Sequence, residues 1–276
     1  MKKYADLHIH STYSDGTFTP EEIVLRAKSL GFSAISITDH DTIEGIEETI
    51  HYGKIHNIEV IPGIEFSTRS KKGHQHILGY FIDYKNSRFR KILNTLRKKR
   101  EERIYKIIKK LQKLKIDISP DDIKNINGSF GRPHIATILL KKGYVSSISE
   151  AFDKFLIRGK PAYEPKFKFS AAEVIEIIKR FKGVAIIAHP CQLYYQQDII
   201  KLIYLDADGI EVFYPEHSQK QIEYYLKLAK IYDLLITGGS DCHGYAKDKI
   251  FLGTIKLPYK YVEKLKERVR QLNNLY

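Results

Sequence analysis

One feature restricts the fold of this chain more than any other: short apolar stretches alternate with amphipathic helical patterns. After a first strand that carries His8 and His10, strands are predicted at residues 33–38, 59–66, 76–82, 184–188, 209–213 and 234–237. Helices are predicted at residues 20–30, 43–57, 170–181, 197–205, 218–231 and 259–272. Thr19 as N-cap and Glu22 as its capping-box partner predict the start of the first helix. This order predicts an α/β fold with a parallel sheet that closes, or nearly closes, into a barrel.

The alternation is interrupted in the middle of the chain. Residues 87–115 form a long, basic helical pattern, and shorter helical segments follow near residues 131–136 and 149–156. No strand is predicted in this part. We therefore expect barrel segments at residues 1–85 and 166–276, separated by a helical insertion at residues 86–165.

Composition narrows the class of protein. With 276 residues and 43% hydrophobic content, the chain can bury a core of barrel size. No apolar run approaches the roughly 18 residues of a membrane span, so we expect a cytoplasmic protein. Two cysteines, Cys191 and Cys242, are too few for a disulfide scaffold. The net charge of +13 favours anionic partners such as nucleotides, although a lysine-rich proteome explains it equally well.

Side chains suited to metal ligation cluster at predicted strand ends. His8 and His10 point to one face of a strand, and the turn at Asp15 and Gly16 lets the carboxylate fold back toward them. Such a histidine pair by itself is often structural. Further candidate ligands follow later strands at their C-terminal ends: His40, Glu65, His189, Asp241 and His243. Barrel enzymes assemble their active sites at these ends, so the sequence predicts a metal site.

Together with Pro62-Gly63-Ile64-Glu65, His76-Ile77-Leu78-Gly79 and His189-Pro190, these motifs resemble the polymerase and histidinol phosphatase (PHP) superfamily. The resemblance covers both sides of the insertion and implies a distorted (β/α)7 barrel with two or three divalent metal ions. It implies these ligands: His8, His10, Asp15, His40, Glu65, His76, His189, Asp241 and His243. Glu65 is the expected bridging ligand, and Glu65, Asp241 and His243 are the expected catalytic residues. Position 15 is aspartate, whereas some members have histidine.

The ligand types agree with this assignment. Imidazoles and carboxylates without thiolates suit manganese, iron or zinc. Two such ions lower the pKa of water and stabilise the charge that develops on phosphoryl oxygens, so the expected activity is that of a phosphoric monoester hydrolase. Asp39 has two open interpretations: it orients His40 or another ligand, or it caps the following helix.

The insertion contains a second motif, Gly131-Arg132-Pro133-His134, at a helix start. Backbone N–H groups and the helix dipole favour an anion there, and a guanidinium adds bidentate recognition of phosphate. An exposed helix start with an idle arginine is the alternative. The resemblance implies that Arg132 and His134 bind substrate phosphate, as in stand-alone members that act on nucleotides. His217 is a further predicted substrate-binding residue, lining the site or acting as leaving-group acid.

These observations favour hydrolysis of nucleoside 3′,5′-bisphosphates to 5′-monophosphates, with 5′-3′ trimming of short RNA as a second activity. The basic helix has few aromatic side chains for base stacking, Phe89 and Tyr105, so a mononucleotide or a short oligonucleotide end fits better than a long strand. Two alternatives stay open. Histidinol-phosphate phosphatase is disfavoured by the Gly-Arg-Pro-His insertion, and a PHP module of a DNA polymerase is disfavoured because the chain lacks room for a polymerase domain.

Overall fold

The computed structural model describes residues 2–70, 74–123, 131–247 and 249–274. The chain divides into two compact units. Unit 1 consists of Met1–Arg90 with Phe169–Tyr276, and unit 2 is Lys91–Lys168.

The strands of unit 1 form two sheets. The first sheet has the order β3-β2-β1-β9 and contains β1 (Tyr4–Ile9), β2 (Ala34–Ile37), β3 (Glu59–Val60) and β9 (Leu257–Pro258). The second sheet runs in chain order and contains β4 (Gly63–Ser67), β5 (His76–Tyr80), β6 (Val184–Ile187), β7 (Gly209–Phe213) and β8 (Leu235–Gly238). Two isolated parallel bridges, Ile9 with Cys242 and His40 with Glu65, connect strand ends of different sheets. The α/β class is thus confirmed.

The sequence pattern predicted a parallel sheet, but the second sheet contains both parallel and antiparallel pairs. Strand β5 runs antiparallel to both β4 and β6. Only residues 68–75 separate β4 from β5, which is too short for the crossover that parallel neighbours require. The strand predicted at residues 59–66 is also divided, because Pro62 has no N–H to donate to a ladder. Before Pro62 the chain pairs with β2, and after it with β5.

Helices account for most of the remaining chain. They are α1 (Pro20–Ser29), α2 (Ile46–His56), α3 (Ser87–Lys113), α4 (Arg132–Lys141), α5 (Ile148–Ala151), α6 (Ala171–Arg180), α7 (Gln197–Tyr204), α8 (Gln219–Ile231) and α9 (Lys260–Asn274). The predicted N-terminus of α1 is confirmed: Thr19 Oγ1 accepts from the Glu22 N–H at 3.2 Å, and Glu22 Oε2 accepts from the Thr19 N–H at 2.8 Å. Each of these side chains accepts a hydrogen bond from a backbone N–H group that has no acceptor within the helix.

Both faces of the central strands are covered. All but the first residue of β1 are buried; its apolar side chains Leu7 and Ile9 belong to hydrophobic clusters. Asp6 and His8 occupy the other face, and His10 directly follows the strand; all three are buried, so their polar groups need partners. The burial of β1 therefore places two imidazoles inside the molecule rather than on its surface.

Unit 2 has a separate hydrophobic core. Ile104, Ile107 and Leu111 of α3 lie in one cluster with Ile135 and Leu139 of α4. In the described part of unit 2 the assigned elements are helical. Among the helices of the described residues, none is long and apolar enough to cross a membrane.

Candidate metal centre

The predicted ligands lie at or near the ends of different strands and come together in one cluster. His8 lies within β1, His10 directly follows it, His40 follows β2, and Glu65 lies within β4. His76 begins β5, and because β5 is antiparallel to its neighbours, its first residue lies at the edge where parallel strands end. His189 follows β6, and Asp241 and His243 follow β8.

Glu65 lies at the centre of this cluster and is 1% exposed. Oε2 of Glu65 lies 3.0 Å from His40 Nδ1, 3.2 Å from His10 Nε2 and 3.4 Å from His8 Nε2. Oε1 lies 2.9 Å from both His76 Nδ1 and His189 Nε2. One carboxylate thus faces five imidazoles, an arrangement that suits a bridging ligand.

Several of these nitrogens have no hydrogen-bond partner. Within the described residues, His8 Nε2, His10 Nε2 and His40 Nδ1 are buried and unpaired, even though carboxylate oxygens lie close by. A buried polar atom without a partner costs about 1–3 kcal/mol. Lone pairs of neutral imidazoles beside carboxylate oxygens are the donor set that divalent transition metals prefer. The cluster therefore fits metal ions.

The cluster contains three overlapping groups of side chains, and within each group the potential ligand atoms lie within 4.8 Å of one another. They are His8 with His10 and Glu65; His40 with Glu65 and His76; and His10 with Asp15, His40 and His243. The other two predicted ligands adjoin these groups: His189 through Glu65 Oε1, and Asp241 through Oδ1, which lies 3.1 Å from His10 Nε2. The structure brings all nine together, and their role as ligands stays a prediction.

The protonation preferences of the cluster follow from burial and from opposite charges. Burial opposes ionisation of Glu65, but His40, His76 and His8 hold its pKa well below the usual range. Burial lowers the pKa of His40 to about 3. For His10, burial is outweighed by Asp241 and Glu65, which raise its pKa to about 10. A metal ion and a proton therefore compete for the ring of His10.

A buried acid that the sequence analysis missed supports two of these histidines. Glu211, in β7, is 0% exposed. Its Oε1 lies 2.9 Å from His8 Nδ1, and its Oε2 accepts from the His189 N–H at 2.7 Å. A carboxylate on Nδ1 leaves Nε2 of His8 as the ligand atom. The available signal was a glutamate inside the apolar stretch Gly209–Phe213, where it requires a partner.

Asp241 also has supporting residues that were not predicted. Its Oδ2 accepts from Tyr214 Oη at 3.0 Å and from Lys247 Nζ at 3.0 Å. Since both donors occupy Oδ2, Oδ1 faces His10 and His8.

Asp39 neither orients His40 nor caps the next helix. It accepts from the Ser11 N–H at 2.7 Å, from Ser11 Oγ at 2.6 Å and from Ser14 Oγ at 2.5 Å, while α2 has no side-chain cap. Ser14 Oγ lies 3.5 Å from His10 Nδ1. Ser14 therefore lies between Asp39 and the predicted ligand His10. This arrangement is nearer to the interpretation in which Asp39 orients a ligand other than His40.

The predicted substrate-binding residues lie in different parts of the chain. His217, in unit 1, is buried, donates from Nδ1 to the Val212 carbonyl at 2.8 Å and leaves Nε2 unpaired within the described residues. Arg132 and His134 lie in the first turn of α4 in unit 2. His134 Nδ1 accepts from the Gly131 N–H at 3.1 Å, so this histidine also caps its own helix.

Comparison with known proteins gives a consistent result. A family model described as the PHP domain matches residues 6–236. A 5′-3′ exoribonuclease of Haemophilus influenzae is 35% identical over 249 residues, covering 88% of this chain and 91% of that protein. A 3′,5′-nucleoside bisphosphate phosphatase of Chromobacterium violaceum is 29% identical, covering 86% of each. A solved structure from Bifidobacterium adolescentis, provisionally named a metal-dependent phosphoesterase, has a TM-score of 0.81 and 29% identity over 95% of both chains.

Proposed function

This chain belongs to the PHP domain family, and we propose that it is a metal-dependent phosphoesterase acting on phosphate monoesters of nucleotides. The observation that carries this proposal is the convergence of five imidazoles on the buried carboxylate of Glu65, with unpaired ring nitrogens beside it. Oxygen and nitrogen donors of this kind hold divalent ions that act on phosphoryl groups.

We assign two or three ions of manganese, zinc or iron to the three overlapping groups of the centre, with Glu65 shared between two of them. His189 and Asp241 complete the proposed ligand set. When bound, the ions supply a nucleophile from water near neutral pH and stabilise charge on the phosphoryl oxygens. Glu65, Asp241 and His243 are the proposed catalytic residues.

The residues around the ligands hold them in place. Glu211 selects the tautomer of His8 through the 2.9 Å contact with Nδ1. Tyr214 and Lys247 fix the carboxylate of Asp241. Lys247 also places a positive charge beside the centre, where it favours an anionic substrate.

We further propose that β1, β2 and β4–β8 form the distorted (β/α)7 barrel of this family. The pairing of neighbours within each sheet and the two isolated bridges at Ile9 and His40 support this proposal. Such a ring directs the ligands of separate strands toward one end.

For the substrate we propose a nucleoside 3′,5′-bisphosphate that loses its 3′-phosphate, with 5′-3′ trimming of short RNA as a second activity. The names of the relatives from C. violaceum and H. influenzae support the two activities respectively. Arg132 and His134 are the proposed contacts for a second phosphate, and His217 is a proposed substrate-binding residue. Histidinol phosphate has only one phosphate and gives Arg132 no role.

A panel of phosphate esters tests this proposal. Protein loaded with manganese is incubated with adenosine 3′,5′-bisphosphate, a 5′-phosphorylated trinucleotide, histidinol phosphate and an aryl phosphate. We expect the highest kcat/KM on the bisphosphate, with adenosine 5′-monophosphate as product. Histidinol phosphate as the preferred substrate would replace our assignment, and no hydrolysis of any ester by the metal-loaded protein would reject it.

A further inference from the structure

The solvent-facing side of α3 carries a row of lysines within unit 2. Five exposed residues, which we call the lysine row, are Lys91, Lys98, Lys106, Lys109 and Lys113. At 3.6 residues per turn they occupy an arc of about 80° of the helix, and at 1.5 Å per residue they extend over about 33 Å. The row is therefore a long, narrow strip of positive charge.

The opposite side of α3 is buried, which fixes the direction in which the lysine row points. Its apolar residues lie in the hydrophobic core of unit 2 and are at most 1% exposed: Ile104, Ile107, Ile108 and Leu111. A helix that binds a membrane surface inserts its apolar side into the lipid. Since this apolar side is packed inside the protein, a lipid surface is a poor match for α3.

The charges of the lysine row are not neutralised by the protein. Among the described residues, no acidic side chain forms an ion pair with a member of the row. Glu102 lies within the same arc, but it pairs with Lys99 at 3.0 Å. Like charges three or four positions apart, as at Lys106, Lys109 and Lys113, weaken a helix. Helix stability therefore does not account for the row.

We propose that the lysine row binds the sugar–phosphate backbone of single-stranded RNA. A stacked strand has one negative charge about every 3.4 Å, so roughly ten nucleotides match the length of the row. Lysine contacts a phosphate as a point charge and does not read the base. The scarcity of aromatic side chains on α3 agrees with such contacts, which require no stacking. That the polyanion is RNA rests on the proposed function.

Binding of a labelled oligoadenylate to the metal-loaded full chain, measured by fluorescence anisotropy, tests this proposal. The RNA has roughly twelve nucleotides, enough to cover the row, and phosphorothioate linkages protect it from hydrolysis. The variant combines Lys98→Gln, Lys106→Gln and Lys109→Gln. We expect it to bind at least about tenfold more weakly at about 50 mM salt. The slope of log Kd against log salt concentration should fall by about 2, since each single-strand phosphate contact contributes about 0.7.

A second triple variant, Lys220→Gln with Lys227→Gln and Lys230→Gln, is the matched control. These lysines are exposed on α8, so the variant loses the same number of charges from another helix. It should keep the affinity and the salt dependence of the unaltered protein. Both variants should hydrolyse an aryl phosphate normally, because neither changes a proposed ligand or substrate contact.

Three results overturn the proposal. The first is unchanged affinity and salt dependence of the α3 variant, and the second is an equal loss in both variants, which assigns the effect to net charge. The third is row-dependent binding of polyglutamate or phosphatidylserine vesicles as tight as that of RNA, which assigns the row to another class of partner.

Circular dichroism establishes that each variant is folded. If the α3 variant unfolds, Lys98→Gln and Lys106→Gln are measured singly, and an unchanged salt dependence of both overturns the proposal. Binding requires no turnover. Row-dependent RNA binding by a protein that hydrolyses no phosphate ester rejects the proposed function and retains this surface, whereas hydrolysis without RNA binding does the reverse.

Discussion

At the scale of single residues, a buried carboxylate behind the histidines supports the candidate centre. Glu211 contacts the ring of His8 and the backbone of His189, so one side chain supports ligands from two strands. Glu211 orients the ring of His8, because its contact with Nδ1 leaves Nε2 available as a ligand atom. Replacing it tests the centre without removing a proposed ligand.

We predict that Glu211→Gln lowers metal affinity or activity about 10–100-fold, the usual cost of losing a carboxylate behind a ligating histidine. The amide keeps the shape but forms a weaker contact with His8 Nδ1. Metal content by elemental analysis and kcat/KM measure the effect. Glu223→Gln, on the exposed face of α8, should change neither quantity. Full metal content and activity in Glu211→Gln would assign Glu211 to folding alone.

A second residue-scale prediction concerns Arg132. If it binds the second phosphate, Arg132→Ala should cost roughly 2–4 kcal/mol of transition-state binding on a nucleoside bisphosphate and far less on an aryl phosphate. The ratio of kcat/KM values on the two substrates is the measurement. Equal losses on both would place Arg132 on the scissile phosphate instead.

At the scale of elements, the centre depends on how closely strand ends approach one another. A Cβ added to Gly239, after β8, would lie 2.3 Å from the backbone nitrogen of His8 in β1. Backbone atoms cannot move aside as a flexible side chain does. The glycine therefore lets Asp241 come near the ligands of β1.

We predict that Gly239→Ala destabilises the fold by about 1–3 kcal/mol, the range for overpacking, and reduces metal binding because β1 and the end of β8 separate. Denaturant unfolding and metal content are the measurements. Gly31→Ala is the comparison, since nothing lies within 4 Å of an added Cβ there and its φ of +77° isolates backbone strain. Normal metal content in a Gly239→Ala protein would contradict this account.

At the scale of the whole molecule, metal binding and stability should be linked. Ions bound only by the folded chain stabilise it, by about 2.7 kcal/mol at a hundredfold excess over Kd. We predict that chelation lowers Tm and abolishes phosphoesterase activity, and that manganese restores both. Thermal unfolding with and without chelator is the measurement.

Glu65→Gln is the variant that separates this effect from nonspecific chelator action. Without the central carboxylate, its Tm should no longer respond to manganese. A metal-free preparation of the unaltered protein that retains full activity would refute the metal requirement. An unchanged response of Glu65→Gln would remove Glu65 from the ligand set.

Much of this molecule was predictable because its signals are local. The alternation of apolar and helical patterns predicted the α/β class, and Thr19 with Glu22 predicted the start of α1. Ligand-type residues at strand ends predicted where the candidate centre lies. Each of these inferences depends on residues a few positions apart, whose spacing the helix and strand repeats dictate.

What only the tertiary structure decided involves residues far apart in the chain. His8 and Glu211 are separated by 203 positions, and no local pattern pairs them. The antiparallel direction of β5 and the approach of Gly239 to β1 likewise arise from packing. Sequence periodicity determines which face of an element is buried, whereas the partner that a buried polar group meets there depends on how the elements assemble.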